Sequence, residues 1–161
     1  MNGAEIRSAV EELIAAYVTA IDDGRLEEWP EFFTDDCVYR IVPRENDAQG
    51  LPLAIMNCES RAALCDRISA YRKANLFAPN AYRHMLGPVR ITDEGGGEVR
   101  ARTNYALFRT ALDPVGYGAS ELFSVGEYRD RIVMVGGATR FREKLVIADT
   151  CRIQTLLATP I

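Results

Sequence analysis

The whole chain holds one histidine, His84, and four cysteines, Cys37, Cys58, Cys65 and Cys151. Those counts restrict the chemistry before any fold is considered. A Rieske cluster takes two cysteines and two histidines. A facial-triad iron site takes two histidines and a carboxylate. One chain with a single histidine builds neither, so no metal site is expected. The cysteines form no CxxC pair and lack the clustered spacing of zinc ligands. They read as buried, reduced thiols that serve as small apolar residues. A disulfide framework is not expected, because the opening residues MNGAEIRSAVEEL carry early acidic side chains and no apolar secretory stretch. GxGxxG, P-loop, GxSxG and HExxH motifs are all missing. Gly95-Gly96-Gly97 falls between strand-like runs rather than before a helix, which is the wrong context for a phosphate cradle.

What remains is His84 and the arginines. His84 sits in a strand-like stretch, residues 81–92. A carboxylate such as Asp35 or Asp36 could orient it as a general base. The competing reading is a histidine held by hydrogen bonds within a sheet or at a subunit contact. The charged runs Arg129, Asp130, Arg131 and Arg140, Arg142, Lys144 also have two readings. They form either a solvated sheet face or a protein contact, since arginine is enriched at interfaces.

The elements that must position these residues follow from periodicity. Over residues 4–22 apolar side chains fall at Ile6, Val10, Leu13, Ile14, Tyr17, Val18 and Ile21, one stripe of a helix ended by Asp22-Asp23-Gly24. A short helical piece, 26–33, carries the cluster Trp29, Phe32 and Phe33, expected to anchor helix to sheet. Residues 34–36 read as a turn, 37–42 as a strand closed by Pro43, and 44–50 as a polar loop. Residues 51–59 read as a short extended segment. Ser60 is expected to cap a helix from 61 to about 75 with the stripe Leu64, Cys65, Ile68 and Tyr71. Gly87-Pro88 marks a bend in the next strand, and 93–97 a hairpin turn. Residues 98–111 alternate, with Val99, Ala101, Thr103, Tyr105 and Leu107 on one face. Residues 120–150 form two long strands around Gly136-Gly137. In the second of these, Phe141, Leu145 and Ile147 are expected on the dry face, with Arg140, Arg142 and Lys144 on the other. Helices first and a mainly antiparallel sheet after make an α+β fold. The sheet should curl around the N-terminal helices as a cone, leaving a cavity between helix and concave face. One domain is expected over residues 1–161. The net charge of −4 gives no basic footprint for nucleic acid. No apolar run approaches the roughly 20 residues of a membrane helix.

Taken in order, a series of segments is familiar: WPEFFTDDCVY at 29–39, PREN at 43–46, GLPLA at 50–54, Asp66-Arg67, Tyr82-Arg83-His84, GEYRDR at 126–131, RFREK at 140–144, Asp149-Thr150 and LLATPI at 156–161. In these the chain resembles the small (beta) subunit of bacterial aromatic-ring-hydroxylating dioxygenases, a branch of the NTF2-like (cystatin-like) cone fold. The PREN and GLPLA segments resemble beta subunits of enzymes acting on aromatic carboxylates such as salicylate, anthranilate or terephthalate. The resemblance implies a non-catalytic, cytoplasmic subunit with no cofactor of its own. Its implied partner is an alpha subunit carrying the Rieske [2Fe-2S] cluster and mononuclear Fe(II). It also implies self-association as a trimer within an α3β3 hexamer. Interface residues are then expected among Arg129, Arg131, Arg140 and Arg142. The alternative is a stand-alone NTF2-like dehydratase or isomerase using His84 with Asp35 or Asp36. A ligand-binding cone without chemistry is a third reading.

Overall fold

In a computed structural model, residues 2–73, 78–95, 97–149 and 159–161 are described. Helix α1, Gly3–Asp22, starts with a capping box. The Asn2 side chain accepts from the Ala4 and Glu5 amides, and the Glu5 carboxylate accepts from the Asn2 amide at 2.8 Å. Its buried stripe is Val10, Leu13, Ile14, Tyr17, Val18 and Ile21, as the spacing predicts. Gly24, at φ 71°, turns the chain into a 3₁₀ segment, Leu26–Phe32, which buries Leu26 and Trp29 and accommodates Pro30.

Strand β1, Phe33–Pro43, begins earlier than the sequence predicts. The expected turn at 34–36 is instead an irregularity within the strand. Between Phe33 and Val38 the chain advances five residues while its partner advances two, from Phe141 to Glu143. The expected loop after Pro43 is a short helix, α2, Arg44–Ala48. Glu45 and Asp47 in its first turn suit the positive end of a helix. Strand β2, Met56–Cys58, follows, then α3, Arg61–Lys73, where the Ser60 hydroxyl accepts the Ala63 amide at 3.2 Å. The predicted end of this helix near residue 75 lies outside the described residues.

The stretch read as one bent strand is two. β3, Asn80–Leu86, and β4, Arg90–Gly95, pair with different halves of β5, Glu98–Ala111. Between them the Gly87 amide bonds to the Asn104 carbonyl at 2.8 Å, and Pro88, which has no amide hydrogen, breaks the ladder. β6, Ser120–Val135, and β7, Ala138–Ala148, make the long hairpin. Gly136 and Gly137 turn it with φ of 59° and 80°, the positive values a two-residue hairpin loop requires.

The strands form one seven-stranded sheet, ordered β2-β1-β7-β6-β5-β3, with β4 also on β5. Among the described strands, only the β1–β7 pair is parallel. This is the α+β cone architecture that the sequence predicts, with the curved sheet left open. The helical layer covers one face. Trp29, Phe33 and Tyr39 are buried there with Tyr17, in edge-to-face contacts such as Trp29–Tyr39 at 5.0 Å. Cys37 and Cys58 are buried free thiols, and burial pushes Cys37 up to about 11. Cys65 is exposed, which corrects the expectation. It lies one residue round the helix from the Leu64–Ile68 stripe. Cys151 is outside the described residues.

Gly126 shows how tightly the sheet is fitted. A Cβ there would sit 1.9 Å from the Ile147 carbonyl oxygen, a backbone atom that has nowhere to go. Gly126→Ala is expected to destabilise the chain by about 3 kcal/mol or more, at the upper end for overpacking. A thermal melt checks this.

Candidate functional site

His84 is buried in β3, with its ring wholly enclosed. Its partner is Asp22 at the end of α1. The Nδ1 atom lies 2.6 Å from Asp22 Oδ1, and the His84 amide donates to Asp22 Oδ2 at 2.9 Å. Neither carboxylate proposed from the sequence is involved. Asp35, 94% exposed, pairs with Arg61 at 3.3 Å, and Asp36 pairs with Arg142 at 3.2 Å. Both sit at the irregular start of β1, at the far end of the sheet from His84. No spacing in the sequence ties position 22 to position 84, so Asp22 was read only as a helix terminator. The contact exists because α1 packs with its last turn against β3. His84 Nε2 is buried without a hydrogen-bond partner among the described residues.

A second charged pair lies deeper. Lys144 on β7 and Asp130 on β6 face each other across the hairpin, both 0% exposed. The ammonium donates to the two carboxylate oxygens at 3.1 and 3.2 Å. Three rings complete its surroundings, with Nζ 3.7 Å from the centre of Tyr128, 4.5 Å from Tyr17 and 4.6 Å from Phe141. Burial pulls Lys144 below its ordinary range and pushes Asp130 above its own, and the attraction between them opposes both shifts. The sequence reading put Lys144 on the charged face with Arg140 and Arg142, and Asp130 beside Arg129 and Arg131. The structure turns both inward. Asp130 follows from plain alternation, lying between Tyr128 and Ile132 on the inner face of β6, whereas Lys144 follows from a bulge at Arg142. Arg131 pairs with Glu143 and Ile132 with Phe141, leaving Arg142 as the extra residue. Phe141 and Lys144 therefore share the inner face although they are three apart.

The outer face is where the arginines gather. In one cross-strand row Arg90, Arg102, Arg129 and Leu145 stand side by side. In the next stand Thr92, Arg100, Arg131 and Glu143. They wall an open cleft of about 700 Å³. Glu127 accepts from both Arg102 and Arg129, and Asp47 of α2 takes Arg129 at 2.9 Å. Glu98 takes Arg131 at 2.8 Å. The Arg131 guanidinium holds Glu98 below the usual carboxylate range. Burial acts to raise Glu127, but its two arginines outweigh it and the net shift is downward. Arg142 meets Asp36, while the Arg140 side chain has no hydrogen-bond or ion-pair partner among the described residues and lines a second cleft of about 430 Å³. Thus Arg129, Arg131 and Arg142 share the outer face with Arg140, as expected. Leu145 and Ile147, expected on the dry face with Phe141, instead stand opposite Arg129 and Glu127 on this outer side. The bulge at Arg142 brings Val146 and Ala148 inward in their place. Their counter-ions Asp47, Glu98 and Glu127 were not singled out from the sequence. The acid-for-base alternation of Glu98-Val99-Arg100 and Glu127-Tyr128-Arg129 was the available signal. Neither cleft is lined by His84. Among the described residues no group of three or more His, Cys, Asp or Glu side chains is placed to hold a metal ion. No helix among them is long and apolar enough to cross a membrane.

This fold, with a filled interior and a charged outer face, has relatives. Residues 3–144 match the SnoaL-like domain family. The small subunit of anthranilate 1,2-dioxygenase from Burkholderia cepacia is 41% identical over 145 residues, covering 90% of this chain and 88% of that protein. The beta 1 subunit of the terminal oxygenase component of terephthalate 1,2-dioxygenase from Comamonas sp is 36% identical over 147 residues, covering 91% and 93%. A crystal structure assigned as the beta subunit of an aromatic-ring-hydroxylating dioxygenase from Novosphingobium aromaticivorans superimposes with a TM-score of 0.88 at 42% identity, covering 99% of this chain and all of that one. The chain belongs to the SnoaL-like family and, within it, to the small subunits of aromatic-ring dioxygenases.

The buried pair yields a direct prediction. Lys144→Ala strands a carboxylate in the core and is expected to cost about 3–5 kcal/mol. The double substitution Asp130→Leu with Lys144→Met removes both charges and is expected to recover most of that loss. Chemical denaturation of the parent, the single and the double variant checks both.

Proposed function

We propose that residues 1–161 act as one structural unit, a non-catalytic cytoplasmic subunit that seats the large, alpha subunit of a ring-hydroxylating dioxygenase. The alpha subunit would carry the Rieske cluster and the mononuclear iron. The assembly would be α3β3, built on a trimer of this chain, and its substrate an aromatic carboxylate. The anthranilate and terephthalate relatives support the substrate class. One observation carries the scaffold role. Arg102 stands directly opposite Arg129, and Arg100 directly opposite Arg131. Like charges facing across strands destabilise a sheet. A face that had only to be solvated would gain from replacing them, in a chain whose net charge is −4. Within the chain Glu127, Asp47 and Glu98 offset part of that cost. A partner bringing further carboxylates to this face would offset more of it, and Arg129, Arg131, Arg140 and Arg142 are the residues it would meet.

The buried Asp22–His84 pair supports a second reading, acid–base chemistry in this chain itself. Against it, the His84 ring has no exposure and lines neither of the two clefts.

Reversing charge on the face separates scaffold from solvation. Arg131→Glu with Arg140→Glu, co-expressed with the large subunit, is expected to weaken assembly at least about tenfold, roughly 1.4 kcal/mol or more. The melting temperature of the isolated subunit should move little. Light scattering reads the complex mass. An unchanged mass at the same dilution returns the face to plain solvation.

A further inference from the structure

Ile161 is completely enclosed, and Thr159 is buried beside it. Residues 159–161 belong to no strand or helix, and no backbone–backbone bond joins them to another described residue. Its main chain is held by two phenols from opposite walls of the cone. The Ile161 carbonyl oxygen accepts from the Tyr17 hydroxyl at 2.6 Å and from the Tyr39 hydroxyl at 3.1 Å. The Ile161 amide donates back to the Tyr39 oxygen at 2.9 Å. Tyr17 belongs to α1 and Tyr39 to β1, so the segment is clasped between the helical layer and the sheet. Trp29 and Phe33 stand against Tyr39, with ring centres 5.0 and 6.1 Å away. Burial pushes both phenols well above their ordinary range, so each stays a neutral hydroxyl able to donate.

Apolar walls with a few convergent polar groups are how proteins bind small molecules. Here the occupant is the chain itself. We infer that the interior of the cone is a ligand site which residues 159–161 fill. Without them it binds a small molecule carrying a branched aliphatic group beside an amide or carboxylate. Tyr17 and Tyr39 supply the polar recognition, and Trp29 and Phe33 wall the apolar part. This site is separate from the arginine face and from any partner assembled there.

The probe is N-acetyl-L-isoleucine, which carries the isoleucine side chain, an amide N–H and an acceptor oxygen in place of those that Ile161 presents to Tyr17 and Tyr39. Deleting residues 159–161 is expected to lower the melting temperature by several degrees. The probe at about 10 mM should raise the truncated chain by about 3 °C, the shift expected when ligand exceeds its dissociation constant several-fold. It should leave the full chain unmoved, because the site is taken. Adding Tyr39→Phe to the truncated chain should abolish the rise. A truncated chain as stable as the full one, or a destabilised one that the probe does not move, overturns the inference. Should truncation prevent folding, Ile161→Ala in the full chain carries the test. It loosens the occupant, so the melting temperature must fall and the probe must restore part of it. Failure of either overturns the inference.

Discussion

An ammonium group with no exposure to water is tolerated only where its charge is matched and its donors are used. Lys144 meets that condition through Asp130 and three aromatic rings, and much of the molecule is arranged around it. Asp130 must lie directly across the hairpin, which fixes the register of β6 on β7. Tyr17 must close the cage from above, which fixes how α1 sits on the sheet. A slip of one residue between β6 and β7 would send one of the two charges to the opposite face and leave the other without its partner. Such a pair contributes little net stability compared with apolar residues of the same size. Its effect is that other registers leave an unmatched charge in the core.

The same bulge that brings Lys144 inside builds the outside. With Arg142 as the extra residue, Glu143 faces outward opposite Arg131, and Leu145 stands beside Arg129. One face of the sheet is consumed by packing against α1, Trp29 and Ile161. The other presents arginines in rows. The division follows from pleating, since each strand offers alternate side chains to each side. It also places the chain's capacity for interaction away from its interior, where His84 and Asp22 are engaged with each other.

Periodicity was sufficient for α1, β5 and the long hairpin. Each shows as one long periodic run, although β6 and β7 carry bulges at Phe123 and Arg142, and the glycines at 24, 136 and 137 sit where positive φ is needed. It was insufficient wherever the backbone departs from regular spacing. The bulge at Arg142 shifts the inward set by one, so a lysine in a run of arginines looked solvated. The irregular start of β1 made residues 34–36 look like a turn. α2 was hidden because five polar residues carry no apolar stripe. Contacts between distant positions were illegible for a different reason. Asp22 with His84, Tyr17 and Tyr39 with Ile161, and Asp47 with Arg129 are products of tertiary packing, and no local spacing encodes them. The family was readable from the order of short segments along the chain.

The account holds that this chain supports an assembly and performs no proton transfer of its own. His84→Asn tests that most directly. Asparagine keeps an N–H donor for Asp22 while removing the imidazole that would carry a proton to or from a substrate. In the complex with the large subunit, turnover of an aromatic carboxylate per assembled complex is predicted to stay within about twofold of the parent. A general base contributes roughly 10²–10⁴-fold. A fall of that size in a complex of undiminished mass would contradict the account and make His84 the reacting group.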